Sequence, residues 1–145
     1  MRITFFGLLT VLFISCKPSH NQTLLLNGND WQFEELDSQH WQLAQVPGSV
    51  QSDLLRLGEI PDPFVANNQD SLQWVSEKDW RYTKAFSVSP SQLQIKQHIL
   101  KFEGLDTYAK VLLNGHIILQ TNNAFSPYQV DVTKILKLQN TLEVT

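Results

Sequence analysis

The sequence predicts an all-β protein, an antiparallel sandwich with one short helix. Short segments in which apolar and polar residues alternate recur from residue 24 onward, a pattern typical of half-buried strands. Turn-forming residues separate these segments, and Asn114-Gly115 lies between two apolar runs, which favours a tight hairpin. A helical pattern of apolar residues occurs once, in residues 49–57. Together these features favour a sandwich.

The first strands are expected close to residue 24. Residues 24–26 form a brief apolar run, and residues 27–30 read Asn-Gly-Asn-Asp, which is typical of a turn. Two alternating segments follow on either side of a second turn at Asp37-Ser38. They predict half-buried strands whose apolar side chains belong to the core; these are Trp31, Phe33, Trp41 and Leu43.

One helix and one long loop are expected in the middle of the chain. Ser49 is a suitable N-cap, and Gly58 is a suitable C′ residue for a helix that closes one end of the sandwich. The residues predicted to form its apolar face are Val50, Leu54, Leu55 and Leu57. The connection over residues 58–79 is longer than is usual in a compact domain. We therefore expect this loop to have a function.

The second half of the chain contains further alternating segments, at residues 80–88, 98–104, 108–113, 116–120 and 128–133. A last segment begins near Leu142, and its pattern still continues at Thr145. An unfinished strand would leave a sheet edge unpaired. From this pattern we expect the chain to be a fragment of a longer protein, truncated at the C-terminal end of its domain.

Composition restricts the classes of function. The chain has 145 residues, of which 42% are hydrophobic, enough for one domain with a real core. The net charge of −3 argues against nucleic acid as a partner, since binding it requires a basic surface. One cysteine cannot form an internal disulfide, and the four histidines share no local spacing. No metal, cofactor or catalytic residue is predicted, because the 14 acidic residues form no recognisable pair.

The first 16 residues resemble a signal peptide. Arg2 precedes an apolar run at residues 3–14, too short for a membrane-spanning helix, and Ser15-Cys16 ends it. We expect a bacterial lipoprotein signal with Cys16 as the lipidated residue, a polar linker over residues 17–23 and a folded domain over residues 24–145. The protein would then be periplasmic or attached to the outer membrane through its lipid. The alternative is a plain secretory peptide with an incidental cysteine.

The long loop carries the residue types that a sugar requires. Trp74 lies outside any clean strand pattern, and Asn67 and Asn68 each offer a donor and an acceptor. An aromatic face with nearby amides suits a pyranose ring. Packing within the loop is an equally good interpretation of Trp74, and a turn is a good interpretation of the Asn pair. Asp79 is the acidic residue with the best claim to a functional role, although aspartate often stabilises loops.

Several ordered motifs resemble one family. VPGSVQSDLLRLGEIPDPF, the following NN and DWRYTKAF, and later FEGLDTYAKVLLNGHII and NAFSPYQVDVT, are similar to the N-terminal domain of the β-mannosidases of glycoside hydrolase family 2. The resemblance extends from Trp31 to the end of the chain. It implies a jelly-roll sandwich of the galactose-binding type. Family 2 also includes β-galactosidases and β-glucuronidases, and the first and third motifs look closer to the β-mannosidase branch.

The resemblance also implies that catalysis and the shaping of the sugar subsite involve different domains. In this family immunoglobulin-like domains and a (β/α)8 barrel follow the first domain, and the barrel carries the acid/base and nucleophile glutamates of a retaining hydrolase. None of these glutamates falls within this chain, which alone is expected to be inactive. Loops of the first domain help to shape the terminal sugar subsite. The matching positions here are Asn67, Asn68, Trp74, Asp79 and Trp80.

Three hypotheses remain open. In the first, the chain is a fragment of a lipid-anchored exo-β-mannosidase, its partners being a β-mannoside glycan and the missing C-terminal domains. This hypothesis predicts an exposed apolar surface where those domains pack. In the second, the chain is a free-standing glycan-binding lipoprotein with a closed sandwich and a pocket that binds sugar unaided. In the third, it is a purely structural spacer, which the polar and aromatic loop makes less attractive.

Overall fold

The computed structural model describes residues 22–145. The predicted signal peptide, Cys16 and most of the linker lie outside the described residues. The strands are β1 Gly28–Glu35, β2 Gln42–Val46, β3 Trp80–Ser87, β4 Ile99–Phe102, β5 Tyr108–Leu113, β6 His116–Asn122, β7 Tyr128–Asp131 and β8 Gln139–Val144. The helices are α1 Val50–Leu57, α2 Asn68–Ser71 and α3 Pro90–Leu93, with a 3-10 turn at Gln73–Val75. No helix in this part is long and apolar enough to cross a membrane.

The strands of residues 22–145 form two antiparallel sheets, which confirms the predicted class. The larger sheet has six strands in the order β2-β1-β3-β8-β5-β6, and the smaller sheet pairs β4 with β7. Leu100 and Phe102 of the smaller sheet pack against the core residues of the larger one. Two four-residue helices, α2 and α3, occur in addition to the one helix that the sequence predicted.

The core lies on the inner face of the six-stranded sheet. Phe33 is completely buried, and its ring centroid is 5.4 Å from that of Tyr82 and 5.7 Å from that of Trp80. Three buried residues of the 58–79 connection join the same core cluster: Ile60, Leu72 and Val75. The connection is therefore part of the wall that covers the large sheet, since the two strands of the small sheet cover only a portion of it.

The N-terminal boundary of β1 differs from the prediction. Residues 24–26 form no strand, and residues 27–30 are not a turn, because β1 already begins at Gly28. Gly28 pairs with Val46 of β2, and a register shift lies between Gly28 and Trp31. The backbone oxygen of Leu26 accepts a hydrogen bond of 2.7 Å from the Trp31 indole. Pairing with β2 thus overrides the turn-forming preference of these polar residues.

The predicted orientation of β2 is wrong. Trp41 precedes the strand and is 40% exposed, and Leu43 is 57% exposed, whereas Ala44 is fully buried. The register explains this result: Ala44 pairs with the buried Trp31, so Leu43 lies beside Gln32 on the outer face. A shift of one residue moves every side chain of a strand to the other face. The assignment of Trp31 and Phe33 to the core is correct.

Helix α1 begins and ends as predicted, but its buried face is different. Ser49 forms a capping box with Ser52, and Gly58 ends the helix with a φ of 76°. The fully buried residues of the helix are Asp53 and Leu54, whereas Leu55 and Leu57 are exposed. Asp53 faces the sheet, where the Gln45 N–H and the Tyr82 hydroxyl donate to its carboxylate. A buried carboxylate is tolerated when its lone pairs are satisfied.

The last strand does not form an edge. β8 lies between β3 and β5. The Thr145 N–H donates to the Lys110 carbonyl at 2.9 Å, and the Lys110 N–H donates to the Thr145 carbonyl at 2.7 Å. The expected unpaired edge at the end of the chain is therefore wrong. Long-range pairing with β3 and β5 places this strand in the interior of the sheet, a position that its local pattern does not reveal.

The hairpin between β5 and β6 is as predicted. Asn114 and Gly115 have positive φ angles of 53° and 80°, which the type I′ turn requires. The Asn114 side chain also donates to the Asn140 side-chain oxygen at 2.9 Å and accepts from the Thr141 N–H at 3.0 Å. This one residue therefore ties the turn to β8.

The strand pairings place four of the connections at one end of the sandwich. Glu35 is opposite Trp80, Tyr82 is opposite Val144, and Tyr108 is opposite Asn122. The connections that meet at this end span residues 36–41, 58–79, 103–107 and 123–127, and β8 also runs toward it. We call this the loop end.

Asp131 should make the stability of the domain depend on pH in acid. Its carboxylate accepts from the Thr133 hydroxyl and N–H and from Gln97, and these bonds lower its pKa from 3.8 to about 2. A depressed pKa adds stability above pH 3.8 that is lost as the pH falls toward 2.

In Asp131→Asn the free energy of unfolding should therefore fall less across that window. Urea titrations on either side of it measure the difference, with Asp70→Asn as the exposed control. Equal pH dependence in Asp131→Asn and the parent protein would contradict the assignment.

Candidate functional site

A cleft of about 240 Å³ lies at the loop end, between the 58–79 connection and the neighbouring ends of β1 and β2. Two tryptophans form its aromatic part, and most of its other lining residues are polar. The lining residues are Glu35, Ser38, His40, Gln42, Leu54, Glu59, Trp74 and Trp80. A concave surface that combines ring faces with a few polar groups is the usual form of a small-ligand site.

The two tryptophans are held by different elements. Trp80 opens β3, stacks against Phe33 and donates its indole N–H to the Val75 carbonyl at 2.9 Å. Trp74 lies in the 3-10 turn next to Val75, and its ring centroid is 6.2 Å from that of Trp80 with the planes inclined at 46°. Trp74 remains 38% exposed. The sequence left packing and ligand contact equally open for Trp74, and the structure shows a ring that is both packed and accessible.

Two of the five polar lining residues are carboxylates, Glu35 and Glu59. Glu35 pairs with Lys78 at 2.7 Å, and this hydrogen bond together with the charge of Glu35 raises the pKa of Lys78. Glu59 accepts from the Gln42 amide at 3.3 Å. Both interactions are exposed, so their energetic contribution is small. Chemically the cleft offers acceptors for hydroxyl donors beside an aromatic face.

The predicted site residues divide into two groups. Trp74 and Trp80 meet in the cleft, whereas Asn67, Asn68 and Asp79 are not among its lining residues. The Asn68 amide donates to the Asp62 carbonyl at 2.8 Å, which fixes the loop, and the Asp79 carbonyl accepts from the Leu36 N–H at 2.8 Å. Asn67 and Asp79 have exposed side chains. Contact of these three residues with a sugar stays a prediction.

Other residues of the cleft were not singled out from the sequence. Glu35 reaches it because it lies opposite Trp80 in the β1–β3 ladder, and Gln42 because it begins the adjacent strand. Glu59 follows the C-terminal glycine of α1. These positions depend on strand register, and no local motif marks them.

A second concave surface lies on the opposite side of the sheet. This groove of about 250 Å³ is lined by Leu36, Asp37, Arg81, Lys110, Leu112, Glu143 and Thr145. It contains charges of both signs and no aromatic ring. Within residues 22–145 no group of three or more His, Asp or Glu side chains is arranged to hold a metal ion. The cleft with the two tryptophans is therefore the better candidate for a sugar site.

Comparison with known proteins supports the resemblance seen in the motifs. Residues 31–145 match the family described as the glycosyl hydrolase 2 galactose-binding domain-like domain. Beta-mannosidase B of Thermothelomyces thermophilus is 39% identical over 120 residues, which cover 80% of this chain and 14% of that protein. Beta-mannosidase B of Aspergillus niger is 42% identical over 110 residues, covering 73% of this chain and 13% of that protein.

Solved structures agree in fold. The crystal structure of the β-D-mannosidase from Dictyoglomus thermophilum superposes with a TM-score of 0.81 at 41% identity, covering 83% of this chain and 15% of that one. The β-D-glucuronidase of the same organism shares the fold at 21% identity and a TM-score of 0.57.

The chain thus spans about a seventh of the length of the curated relatives that it matches. The family match covers most of the chain, and its antiparallel sandwich agrees with the predicted jelly-roll class of the galactose-binding type. The chain therefore belongs to the galactose-binding-like N-terminal domain family of the family 2 glycosyl hydrolases, and within it resembles the β-mannosidases.

Proposed function

We propose that this chain is the N-terminal domain of a longer glycoside hydrolase that removes terminal β-D-mannose with retention of configuration. The observation that carries the proposal is the 41% identity and TM-score of 0.81 to a solved β-D-mannosidase. Solved glucuronidases match at 21–23% identity, with TM-scores between 0.57 and 0.61. The sequence similarity therefore favours a mannoside as the substrate over a glucuronide.

The cleft gives this domain a role in holding the sugar. The exposed face of Trp74 is suited to the C–H side of a pyranose, and the Glu35, Glu59 and Gln42 side chains are suited to its hydroxyl groups. Trp80 supports Trp74 and is itself fixed by Phe33. A ring that is locked by packing holds a ligand more precisely than a free side chain. The domain would thus form one wall of the terminal sugar subsite.

Catalysis would come from elsewhere in the polypeptide. A retaining glycosidase needs two carboxyl groups about 5–5.5 Å apart on either side of the scissile bond. The cleft carboxylates Glu35 and Glu59 have partners in Lys78 and Gln42 and lie on an exposed surface. We assign them to binding, and we expect the 145-residue chain alone to release no mannose.

The test is a comparison of Trp74→Ala with a matched control in the full-length polypeptide. Loss of the ring face should lower kcat/KM for an aryl β-D-mannoside by about tenfold, the equivalent of about 1.4 kcal/mol of transition-state binding. Trp41→Ala is the control, because Trp41 is 40% exposed at the same end but does not line the cleft. NMR of the first sugar released reports retention.

Two results would contradict this proposal. If Trp74→Ala and Trp41→Ala have the same kcat/KM as the parent, the cleft is not a subsite wall. If the parent hydrolyses aryl β-glucuronides or β-galactosides but not the β-mannoside, the assigned substrate is wrong. The first result would overturn the role of the cleft, and the second would overturn the assigned substrate.

A free-standing glycan-binding module is the alternative function. One observation favours it, namely that two tryptophan rings and five polar side chains already meet in one concave surface of this domain. Titration of the chain with a β-mannobiose, followed by the fluorescence of Trp74 and Trp80, distinguishes the two functions. Saturable binding in the micromolar range would favour the module, since a subsite wall alone has too few contacts for such affinity.

We also propose that the protein is a lipid-anchored protein of the bacterial periplasm or outer membrane. The support is the sequence of residues 1–16, with its short apolar run and Ser15-Cys16. Metabolic labelling with a clickable fatty acid in a bacterial host should mark the parent protein and not Cys16→Ser. Equal labelling of both would overturn the assignment.

A further inference from the structure

Two phenylalanines are almost completely exposed. Phe64 is 96% and Phe125 is 97% exposed, more than any other large hydrophobic residue in the described part of the chain. Val65, the residue after Phe64, and Tyr108, at the start of β5, are also largely exposed. Single exposed apolar residues are common on protein surfaces. Two fully exposed aromatic rings at the same end of a sandwich indicate an interaction surface, because aromatic residues contribute much of the binding energy of interfaces.

The loops that carry these rings are held in place by hydrogen bonds. The Phe64 N–H donates to the Asp62 carboxylate at 2.9 Å, and the Asn68 amide donates to the Asp62 carbonyl at 2.8 Å. The Phe125 N–H donates likewise to the Asn123 side-chain oxygen at 2.9 Å. The Tyr128 hydroxyl donates to the Asn123 carbonyl at 3.0 Å. Each ring is thus presented on an ordered turn, which lowers the entropic cost of docking against a partner.

Both rings belong to the loop end. Phe64 lies in the 58–79 connection, which enters the large sheet at Trp80, and Phe125 lies in the connection that leaves the large sheet at the end of β6. The strand pairings place both of these points at the loop end. The Trp74–Trp80 cleft opens at the same end. A body that covered the two rings would therefore lie at the end where the cleft opens.

We infer that Phe64 and Phe125 are the apolar anchors by which this domain docks onto the part of the longer polypeptide that follows it. The relatives named β-mannosidase are about seven times longer than the matched segment. β8 runs toward the loop end, so a segment that followed it would emerge at the end of the sandwich that carries both rings. Interfaces between domains of one chain bury about 600–1,500 Å², and aromatic residues are enriched at the centre of such contacts.

Hydroxyl-radical footprinting of the full-length polypeptide tests this inference without relying on any variant. The oxidation rate of each side chain is compared between the native and the urea-unfolded protein. Phe64 and Phe125 should be protected about tenfold by docking, as expected for groups at the dry centre of an interface. Ile117 is the internal control, because it is 59% exposed beside the turn at the opposite end. It should show little protection.

Substitution gives a second readout. Phe64→Ser and Phe125→Ser should each increase limited proteolysis just after residue 145 by about tenfold, since undocking exposes the junction. Ile117→Ser should leave that rate unchanged.

Three outcomes would overturn the inference: full oxidation of both rings in the monomeric full-length protein, a reading frame that ends after Thr145, or protection that appears only as the protein concentration rises. The last would assign the surface to a second copy of the chain. The inference rests on the proposed function in one respect, namely that a longer polypeptide exists. Footprinting and proteolysis measure neither sugar binding nor hydrolysis, so a failure of the docking surface is distinguishable from a failure of the proposed function.

Discussion

Replacing Phe33 with alanine should lower the free energy of unfolding by about 4 kcal/mol, the usual cost of deleting a buried phenylalanine. The ring is completely buried and contacts the rings of Tyr82 and Trp80. Its removal leaves a cavity between β1 and β3, which the paired strands cannot collapse to fill. Urea unfolding, followed by tryptophan fluorescence and circular dichroism, measures the change.

Phe33→Leu is the matched control. It keeps most of the apolar volume, so its cost should stay below about 1.5 kcal/mol. Phe33→Ala should also alter the cleft, because Trp80 loses its packing contact with the Phe33 ring. A cost of less than about 1 kcal/mol for Phe33→Ala would show that the site collapses more easily than the ladder of β1 and β3 suggests.

The second large effect is expected at Asp53. This fully buried carboxylate accepts from the Gln45 N–H at 3.0 Å, the Arg56 guanidinium at 2.9 Å and the Tyr82 hydroxyl at 3.0 Å. It therefore joins α1, β2 and β3. In Asp53→Ala the Gln45 backbone N–H and the Tyr82 hydroxyl, both in part-buried hydrogen bonds, lose their acceptor. The expected loss of stability is about 3 kcal/mol, which would lower the Tm by about 10 °C.

Two further variants isolate the network. Tyr82→Phe removes one hydrogen bond and should cost about 1 kcal/mol. The exposed Asp70→Ala should change stability by less than about 0.5 kcal/mol. The double variant Asp53→Ala/Tyr82→Phe should lose less stability than the sum of the two single variants, because both remove the same interaction. Strict additivity would contradict the proposed network.

Local signals in the sequence predicted much of the fold. Alternation identified β3 and β7, the Asn114-Gly115 turn defined the β5–β6 hairpin, and Ser49 and Gly58 marked the ends of α1. These features depend on residues close in sequence. The burial of Asp53 and the interior position of β8 depend instead on partners 29 or more residues away. The face of β2 that points inward was likewise fixed by its register with β1.

The candidate site likewise contains residues that local sequence identifies and residues that only the tertiary structure brings together. Trp74 stood out because it fitted no strand pattern, and the structure places it in the cleft. Glu35 and Glu59 could not be recognised, since each looks like an ordinary exposed acidic residue until β1, β3 and the end of α1 are brought together. Asn68 attracted attention as a sugar ligand, yet its amide already bonds the Asp62 carbonyl.

The anchoring of the 58–79 connection in the core has a consequence for how the loop end can diverge among such proteins. Ile60 and Leu72 are buried with the sheet residues, whereas residues 61–71 between them are almost all accessible to solvent. Changes of length or sequence within this interval leave the hydrophobic core intact, because loop insertions cost little when both ends are fixed. Evolution or a designer can therefore exchange residues 61–71 as one segment at the loop end while the sandwich keeps its stability.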